Sequence, residues 1–454
     1  MPLYEILAIG FMVVFILSLF SGYPVAWLLA GLSLVFVALS LGFNEMGYDT
    51  FLLSSWDKVG GVVDRFDAIM SNWVLVSLPM FVYMGLMLDK SGVADTMMKN
   101  FVKVFGGIKG GLGLTVVVIG ILLAASTGIV GASVVLLAVL SMPVMLQQGY
   151  NKGLAAGVVA ASGTLGILIP PSIMLVLMAD QVSASVGDLF MGAMIPGVLL
   201  GVLYMIYIVA LGFVKPEMVP ARPAGEEALT WKEIFQAFMS TVPTFGLILL
   251  VLGTIFFGIA TPTEASGLGA AGAMVLAALN GRLSLKTIRE VGIETTLTTC
   301  FIFAIFLGAT VFAYVLRLTG GDELITHFFA GLGLGPTGLT IVILAIVFVA
   351  GFFLDWFEIV LIIVPLLAPV LKAAGVDQTW FLVAMAIMLQ TSFLTPPVGF
   401  SLFYLKGVVP KEVTIGDIYT GIIPFVLLQL LMVILCFVFP DLILWLPKQM
   451  YGGG

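Results

Sequence analysis

Residues 143–172 read PVMLQQGYNKGLAAGVVAASGTLGILIPPS, and residues 369–398 read PVLKAAGVDQTWFLVAMAIMLQTSFLTPPV. Each stretch starts with a proline (Pro143, Pro369), has a glycine six positions on (Gly149, Gly375), and ends in a proline pair (Pro170-Pro171, Pro396-Pro397). One interval, 226 positions, separates every one of these matches (396 − 170, 375 − 149). Further on, GDLFMG at 187–192 is answered by GDIYTG at 416–421. Two halves of an apolar chain, each broken in mid-segment by Pro-Pro, predict a secondary carrier with its site where the repeats meet.

Composition sets the medium. Of 454 residues 61% are hydrophobic and 9% charged, with mean hydropathy +1.21. A soluble domain carries about 25% charged residues, so this chain has too few to cover a surface in water. Apolar runs long enough to span a bilayer recur from end to end. The net charge of −7 sits in short loops, and no basic face exists for nucleic acid. Cys300 and Cys436 read as two separate thiols buried in apolar segments. His327 is the only histidine, which excludes histidine-clustered metal or haem sites. MPLYEILAIGF lacks a basic n-region, so the first span is expected to be retained.

Spans are expected at about 5–20, 24–42, 66–88, 189–213, 236–259, 263–281, 293–316 and 412–439, with broken spans at 153–184 and 378–405. Residues 215–235 form the most polar segment and the expected cytoplasmic linker between halves, 1–214 and 236–454. With the N-terminus outside, thirteen of the eighteen Lys and Arg residues fall inside, leaving Lys58, Arg65, Arg317, Lys372 and Lys448 outside. That bias follows the positive-inside rule. The first spans of the two halves then run in opposite directions, so the repeats are predicted to be inverted.

Gly110–Asn151 contains no charged residue, yet Lys109 and Lys152 fall on one side. Two full spans and a re-entrant hairpin tipped by Ser126–Gly131 both satisfy this. The equivalent tip in half two, Leu354-Asp355-Trp356-Phe357-Glu358, favours the hairpin: acids in an apolar stretch are costly unless they face protein or a wet cavity.

Proline removes an amide donor and clashes with the carbonyl four residues back. Carbonyls freed at membrane depth need a partner. Together with the hydroxyls of Ser126, Thr127, Ser162 and Thr164, and of Thr391, Ser392 and Thr395, they predict two hard-oxygen cages able to hold Na⁺. Half-helix N-termini at the same places offer amides to an anionic substrate. Asp355 is the carboxylate best placed for ion coordination, ahead of Glu358. Glu264 in ATPTEAS reads as a helix cap after Pro262, Asp188 and Asp417 as N-caps, Asp180 as the outer end of its broken helix, and Trp445 and Tyr451 as interfacial anchors. No nucleophile–base pair, P-loop, CxxC or HExxH occurs, so an enzyme is not expected and energy must come from an ion gradient or a partner.

GYPVA at 22–26, STGIVG at 126–131, GTLGILIPPSIMLV at 163–176, ATPTEAS at 260–266, FLDW at 353–356 and TPPVGFSLF at 395–403 form a specific set. Through them the chain resembles, over essentially its whole length, the large membrane (M) subunit of tripartite ATP-independent periplasmic (TRAP) transporters. The resemblance implies an all-α elevator-type carrier, similar in fold to divalent-anion/sodium symporters. Scaffold helices would lie at about 5–90 and 236–316, and moving elements, each a hairpin plus a broken helix, at about 110–186 and 337–405. It implies a small four-helix membrane partner, a periplasmic substrate-binding protein, carboxylate substrates taken up with Na⁺, no other cofactor, and a bacterial or archaeal cytoplasmic membrane. Carried over by position, a first sodium site would use Ser126, Thr127, Gly128, Gly163, Thr164 and the Ile169 carbonyl. A second would use Asp355, Thr391, Ser392 and Thr395, with Pro170, Pro171, Pro396 and Pro397 beside the substrate. Many relatives read Ser-Gly-Ser at the first tip, where this chain has Thr127-Gly128-Ile129; the second hydroxyl is gone, and Ser126, Ser133 or carbonyls would have to replace it.

Overall fold

The computed structural model describes residues 2–105, 108–127, 130–220 and 230–451, the side chains of 124–127 and 451 excepted. Every regular element among the described residues is helical. Among the described residues eight helices are long and apolar enough to cross a bilayer, and five shorter apolar helices accompany them. Large apolar side chains remain outward-facing along these helices, Phe213 being 81% exposed. Such a surface is stable only against lipid, and helices satisfy their own backbone there. The chain is a multi-pass integral membrane protein.

The frame is built from two helix pairs that exchange partners between the halves. Pro262–Leu279 packs along Ser77–Lys90, and Leu285–Leu318 packs along Val25–Glu45. Aromatic side chains fill the space beside them: Phe312 meets both Phe11 and Phe15, at ring-centroid distances of 4.4 and 4.8 Å. After the frame helices each half continues with a short helix (Val93–Phe105, Gly321–Gly331), a helix pair, an interrupted helix and a long helix. The pairs are Gly111–Thr127 with Val130–Gln147, and Pro336–Ala350 with the segment from Trp356 to Ala373. Helices starting at Val130 and Lys152 have counterparts starting at Trp356 and Gln378, 226 positions later in both cases.

Several expectations need correction. The expected span at 66–88 is three pieces, Gly61–Met70, a 3-10 turn Trp73–Val76 and Ser77–Lys90. Asn72 makes the break, because its side chain accepts from the Val74 amide and starts a new helix. The helices Val93–Phe105, Gly321–Gly331 and Asp441–Tyr451 were not expected; they are amphipathic or short, and a search for apolar runs passes over them. Cys436 is buried as expected, but Cys300 is exposed on Leu285–Leu318. Residues 221–229 of the expected linker lie outside the described residues; its far end is set by a capping box in which Glu233 Oε2 accepts from the Thr230 amide.

Candidate functional site

The first interrupted helix runs Lys152–Thr164, tightens to a 3-10 turn at Leu165–Ile167, and resumes at Ile173–Gln181. Its first part has 13 residues. At about 1.5 Å per residue that is roughly 20 Å, short of a hydrocarbon core of about 30 Å. The second runs Gln378–Phe393 and resumes at Phe400–Val408, relaunched by Gly399 at φ +57. The interruptions coincide with the two proline pairs, whose Pro-Pro peptides are both cis.

Serines bridge both interruptions. Ser172 Oγ donates to the Ile167 carbonyl (2.7 Å) and Ser401 Oγ to the Phe393 carbonyl (2.6 Å). Ile167 and Phe393 are themselves 226 apart. These two freed carbonyls are therefore held by protein hydroxyls. Ser172 and Ser401 lie on the far side of the prolines from the hydroxyls singled out above, where the turn folds them back.

The expected hydroxyls occupy the near side. Thr164 donates to Ala161, Thr391 to Ile387, Ser392 to Leu389 and Thr395 to Thr391, at 2.8–2.9 Å in each case. All are buried except Thr395, which is half-buried. A hydroxyl that donates to its own helix keeps its oxygen lone pairs for another partner. Gln390 Nε2 donates to Thr164 Oγ1 at 3.2 Å, so the two interrupted helices meet where these hydroxyls gather. Among the described residues neither Gln390 Oε1 nor Ser162 Oγ has a hydrogen-bond partner, although both are buried. Buried oxygens without partners call for a water or an ion. Hydroxyl, amide and carbonyl oxygens are hard donors and suit an alkali cation; no cluster of three His, Cys, Asp or Glu residues occurs among the described residues.

Gly128 lies outside the described residues, as do the side chains of Ser126 and Thr127. Gly163 serves close packing: a Cβ there would stand 3.0 Å from the Val134 nitrogen of the neighbouring arm. Ile169 is buried within the first interruption. In the second half, Asp355 caps the helix that starts at Trp356. Its Oδ1 accepts from the Trp356 amide (2.7 Å), while Glu358 Oε2 accepts from the Asp355 amide (2.7 Å). The two acids are thus supported by backbone donors, with Glu358 buried and Asp355 half-buried.

The helix pairs cross between halves. Val130–Gln147 packs on Phe400–Val408 of the other interrupted helix, and the turn at Ile359–Ile363 packs on Ile173–Gln181. At the first contact the Tyr404 ring lies under Gly131, 3.1 Å from where a Cβ would be. Tyr404 therefore stands at the start of that pair's second arm. Neither Tyr404 nor Gln390 was among the expected residues. Gln390 had one available signal: it is the lone amide in an apolar run and falls 226 positions after Thr164.

The outlying acids are structural. Glu264 Oε2 accepts from both the amide and the hydroxyl of Thr261, in a capping box at the start of Pro262–Leu279. Asp188 and Asp417 are not N-caps. The caps are Ser185 and Thr414, whose hydroxyls accept from the Asp188 and Asp417 amides. The aspartate of each GD motif is the third residue of its helix, where an acid also favours the helix dipole. Asp180 does lie at the end of its interrupted helix, where Asn72 and Gln181 donate to its carboxylate.

The family described as "Tripartite ATP-independent periplasmic transporter, DctM component" matches residues 12–442. The chain is 29% identical to the C4-dicarboxylate TRAP transporter large permease protein DctM of Vibrio cholerae, over 92% of this chain and 94% of that protein. It is 30% identical to the DctM protein of Pseudomonas aeruginosa, over 90% of this chain and 94% of that one. The sialic acid TRAP transporter large permease protein SiaM of Vibrio cholerae is 28% identical, over 96% and 97%. Among solved structures, the YdaH transporter of Alcanivorax borkumensis superimposes with a TM-score of 0.61 at 15% identity, over 84% of this chain and 88% of that one, a likeness of fold. With a match running nearly from end to end, the chain belongs to the DctM family, the large permease component of tripartite ATP-independent periplasmic transporters.

Proposed function

We propose that this chain is the permease of a secondary, Na⁺-coupled importer of organic anions, probing its substrate through two matched half-sites. The observation that carries the reading is the meeting of the two interrupted helices at Thr164 and Gln390, with hydroxyls clustered around it and two buried oxygens left without protein partners. Thr164 and Ser162 would serve a cation in the first half, with Gly163 letting the neighbouring arm approach. Thr391, Ser392, Thr395 and Asp355 would serve one in the second. Na⁺ supplies the positive charge that an anionic substrate needs in a site poor in Lys and Arg, and the gradient of the ion supplies the driving force.

The two helix pairs are read as re-entrant hairpins and the two half-chains as inverted repeats. The arms and interrupted helices would move as one body against the frame formed by Val25–Glu45, Ser77–Lys90, Pro262–Leu279 and Leu285–Leu318, in an elevator motion. The partners would be a small four-helix membrane subunit and a soluble periplasmic binding protein that delivers the anion at the inner membrane of a bacterial or archaeal cell. Carboxylates are the favoured substrates, since relatives carry C4-dicarboxylate and sialic acid in their names. Uptake should be measured in proteoliposomes containing the chain and its partners, with external Na⁺ exchanged for K⁺ or choline. Collapse of uptake is the expected result; uptake that continues unchanged removes sodium coupling.

A further inference from the structure

The frame and the first interrupted helix are joined by a side-chain bond that the second half does not repeat. Asn72 stands at the break between Gly61–Met70 and Ser77–Lys90, where its Oδ1 accepts from the Val74 amide. Thr263 Oγ1 donates to the Trp73 carbonyl at 2.8 Å, which fastens this break to the start of Pro262–Leu279 and so to the frame. The other end of the same side chain, Asn72 Nδ2, donates to Asp180 Oδ1 at the end of Ile173–Gln181. Around this bond Ile173–Gln181 packs on Trp73–Val76 and Ser77–Lys90. In the second half the residue 226 positions after Asp180 is Lys406, whose Nζ turns to the Val413 carbonyl at 2.8 Å. Phe400–Val408 packs on Val130–Gln147 and Lys152–Thr164, and the frame helix Leu285–Leu318 runs unbroken for 34 residues, with no break to present a partner.

Asn72 and Asp180 are half-buried at the edge of a cavity of about 450 Å³, lined also by Ser183 and Ser185 from the chain after Asp180 and by Ala260 and Pro262 from the frame. The cavity thus follows the seam between the frame and the end of the interrupted helix. A polar bond at such a seam opens with little penalty, because amide and carboxylate both find water once they separate. Closed, a hydrogen bond to a carboxylate is strong enough to bias a two-state equilibrium about ten-fold. We propose that Asn72 and Asp180 form a latch, which holds the moving body against the frame in the arrangement described and opens in every transport cycle. Tied at one interrupted helix and free at the other, the moving body is held at one end of its travel. The latch rests on the reading of the arms and interrupted helices as one body that moves against the frame, and is independent of the ion and the substrate.

Two cysteine pairs test the latch in the full chain, with Cys300 and Cys436 replaced by Ala and the partner proteins present in proteoliposomes. Asn72→Cys with Asp180→Cys spans the latch. Phe301→Cys with Phe357→Cys joins the frame to the second tip, where the two rings lie 6.2 Å apart. Each pair is bridged with a short bifunctional thiosulfonate, and bridging is read as loss of maleimide-reactive thiols. Both bridges should stop uptake, and reduction with dithiothreitol should restore it. Uptake that continues through the first bridge alone makes the Asn72–Asp180 contact permanent and overturns the latch, while the moving-body reading stands. Uptake that continues through both overturns that reading as well. Failure of the first pair to bridge also overturns the latch. An exchange of partners gives a second measurement without cysteines. Asn72→Asp keeps the cap on Val74 but sets two carboxylates against each other, and should slow uptake about ten-fold. Adding Asp180→Asn restores the bond with donor and acceptor exchanged, and uptake should return to the parent rate. No loss in the single variant, or no recovery in the double one, overturns the latch.

Discussion

Gln390 Nε2 donates to Thr164 Oγ1 across 226 residues of sequence, at 3.2 Å and with both residues fully buried. The same interval separates the two proline pairs. Under the inverted-repeat reading, equivalent positions of the two halves therefore touch each other, and this bond lies on the axis that relates them. A group on that axis would sense both proposed half-sites at once.

Gln390→Leu tests whether the contact does more than pack. Leucine removes the donor together with the unpartnered Oε1 at similar volume, so the stability cost should stay within about 1.5 kcal/mol. If Oε1 serves a cation or its water, the Na⁺ concentration for half-maximal uptake should rise about ten-fold, equivalent to about 1.4 kcal/mol. Uptake as a function of Na⁺, alongside the thermal midpoint, separates the two. An unchanged Na⁺ dependence would assign the bond to packing alone.

Asp355→Asn separates charge from structure at the second tip. Asn caps a helix about as well as Asp, so the bond from the Trp356 amide survives and folding should be unaffected. Removing the charge should abolish most Na⁺-driven uptake while membrane insertion and gel-filtration behaviour stay normal. Asp355→Ala, which also removes the cap, should lose about 1 kcal/mol of stability in addition. Normal uptake by the Asn variant would show that the second cation site has been misplaced.

Ser172→Ala and Ser401→Ala address the bridged interruptions. Each leaves a buried carbonyl, Ile167 or Phe393, without its hydroxyl donor. An unpaired buried acceptor costs about 1–3 kcal/mol, so both variants should melt earlier than the parent in thermal denaturation. The loss should be the same with and without Na⁺, because a serine and not an ion satisfies these carbonyls. A loss seen only without Na⁺ would make the carbonyls ion ligands.

The interruptions were legible because Pro-Pro in an apolar run cannot continue a helix, and matching prolines 226 apart marked both at once. Helix starts at Val130, Lys152, Trp356 and Gln378 keep that interval in space. Most of what escaped reading has a common cause: pairing across the fold leaves little trace along the chain, the 226-position interval between Thr164 and Gln390 excepted. Gln390 meets Thr164, Asn72 meets Asp180, and Tyr404 meets Gly131 only once helices distant in sequence are assembled. Ser172 and Ser401 escaped because a proline turn reverses the direction in which a hydroxyl reaches. The amphipathic helices Val93–Phe105 and Gly321–Gly331 escaped because each shows an apolar stripe and no apolar run.

Small residues set the last contact that can be tested. Gly153 and Gly157, four apart on the first interrupted helix, face Gly421 on the long helix Ile415–Val438, where a Cβ at Gly421 would run into the Gly153 carbonyl and one at Gly157 into the Gly421 carbonyl. Membrane helices come this close only when glycines remove the side chains between them. Gly421→Ala must therefore push the two helices apart, at a cost of about 1–3 kcal/mol for overpacking. Displacing the first interrupted helix also strains the Thr164–Gln390 contact further along it, so uptake should fall with stability. Gly407→Ala is the control, since nothing lies within 4 Å of a Cβ there. Thermal unfolding of both variants in the same detergent decides the matter: the Gly421 variant should melt well below the parent and the Gly407 variant at or slightly above it, because alanine favours a helix. Equal midpoints would mean that the helices can separate without loss, and that the close crossing does not position the site.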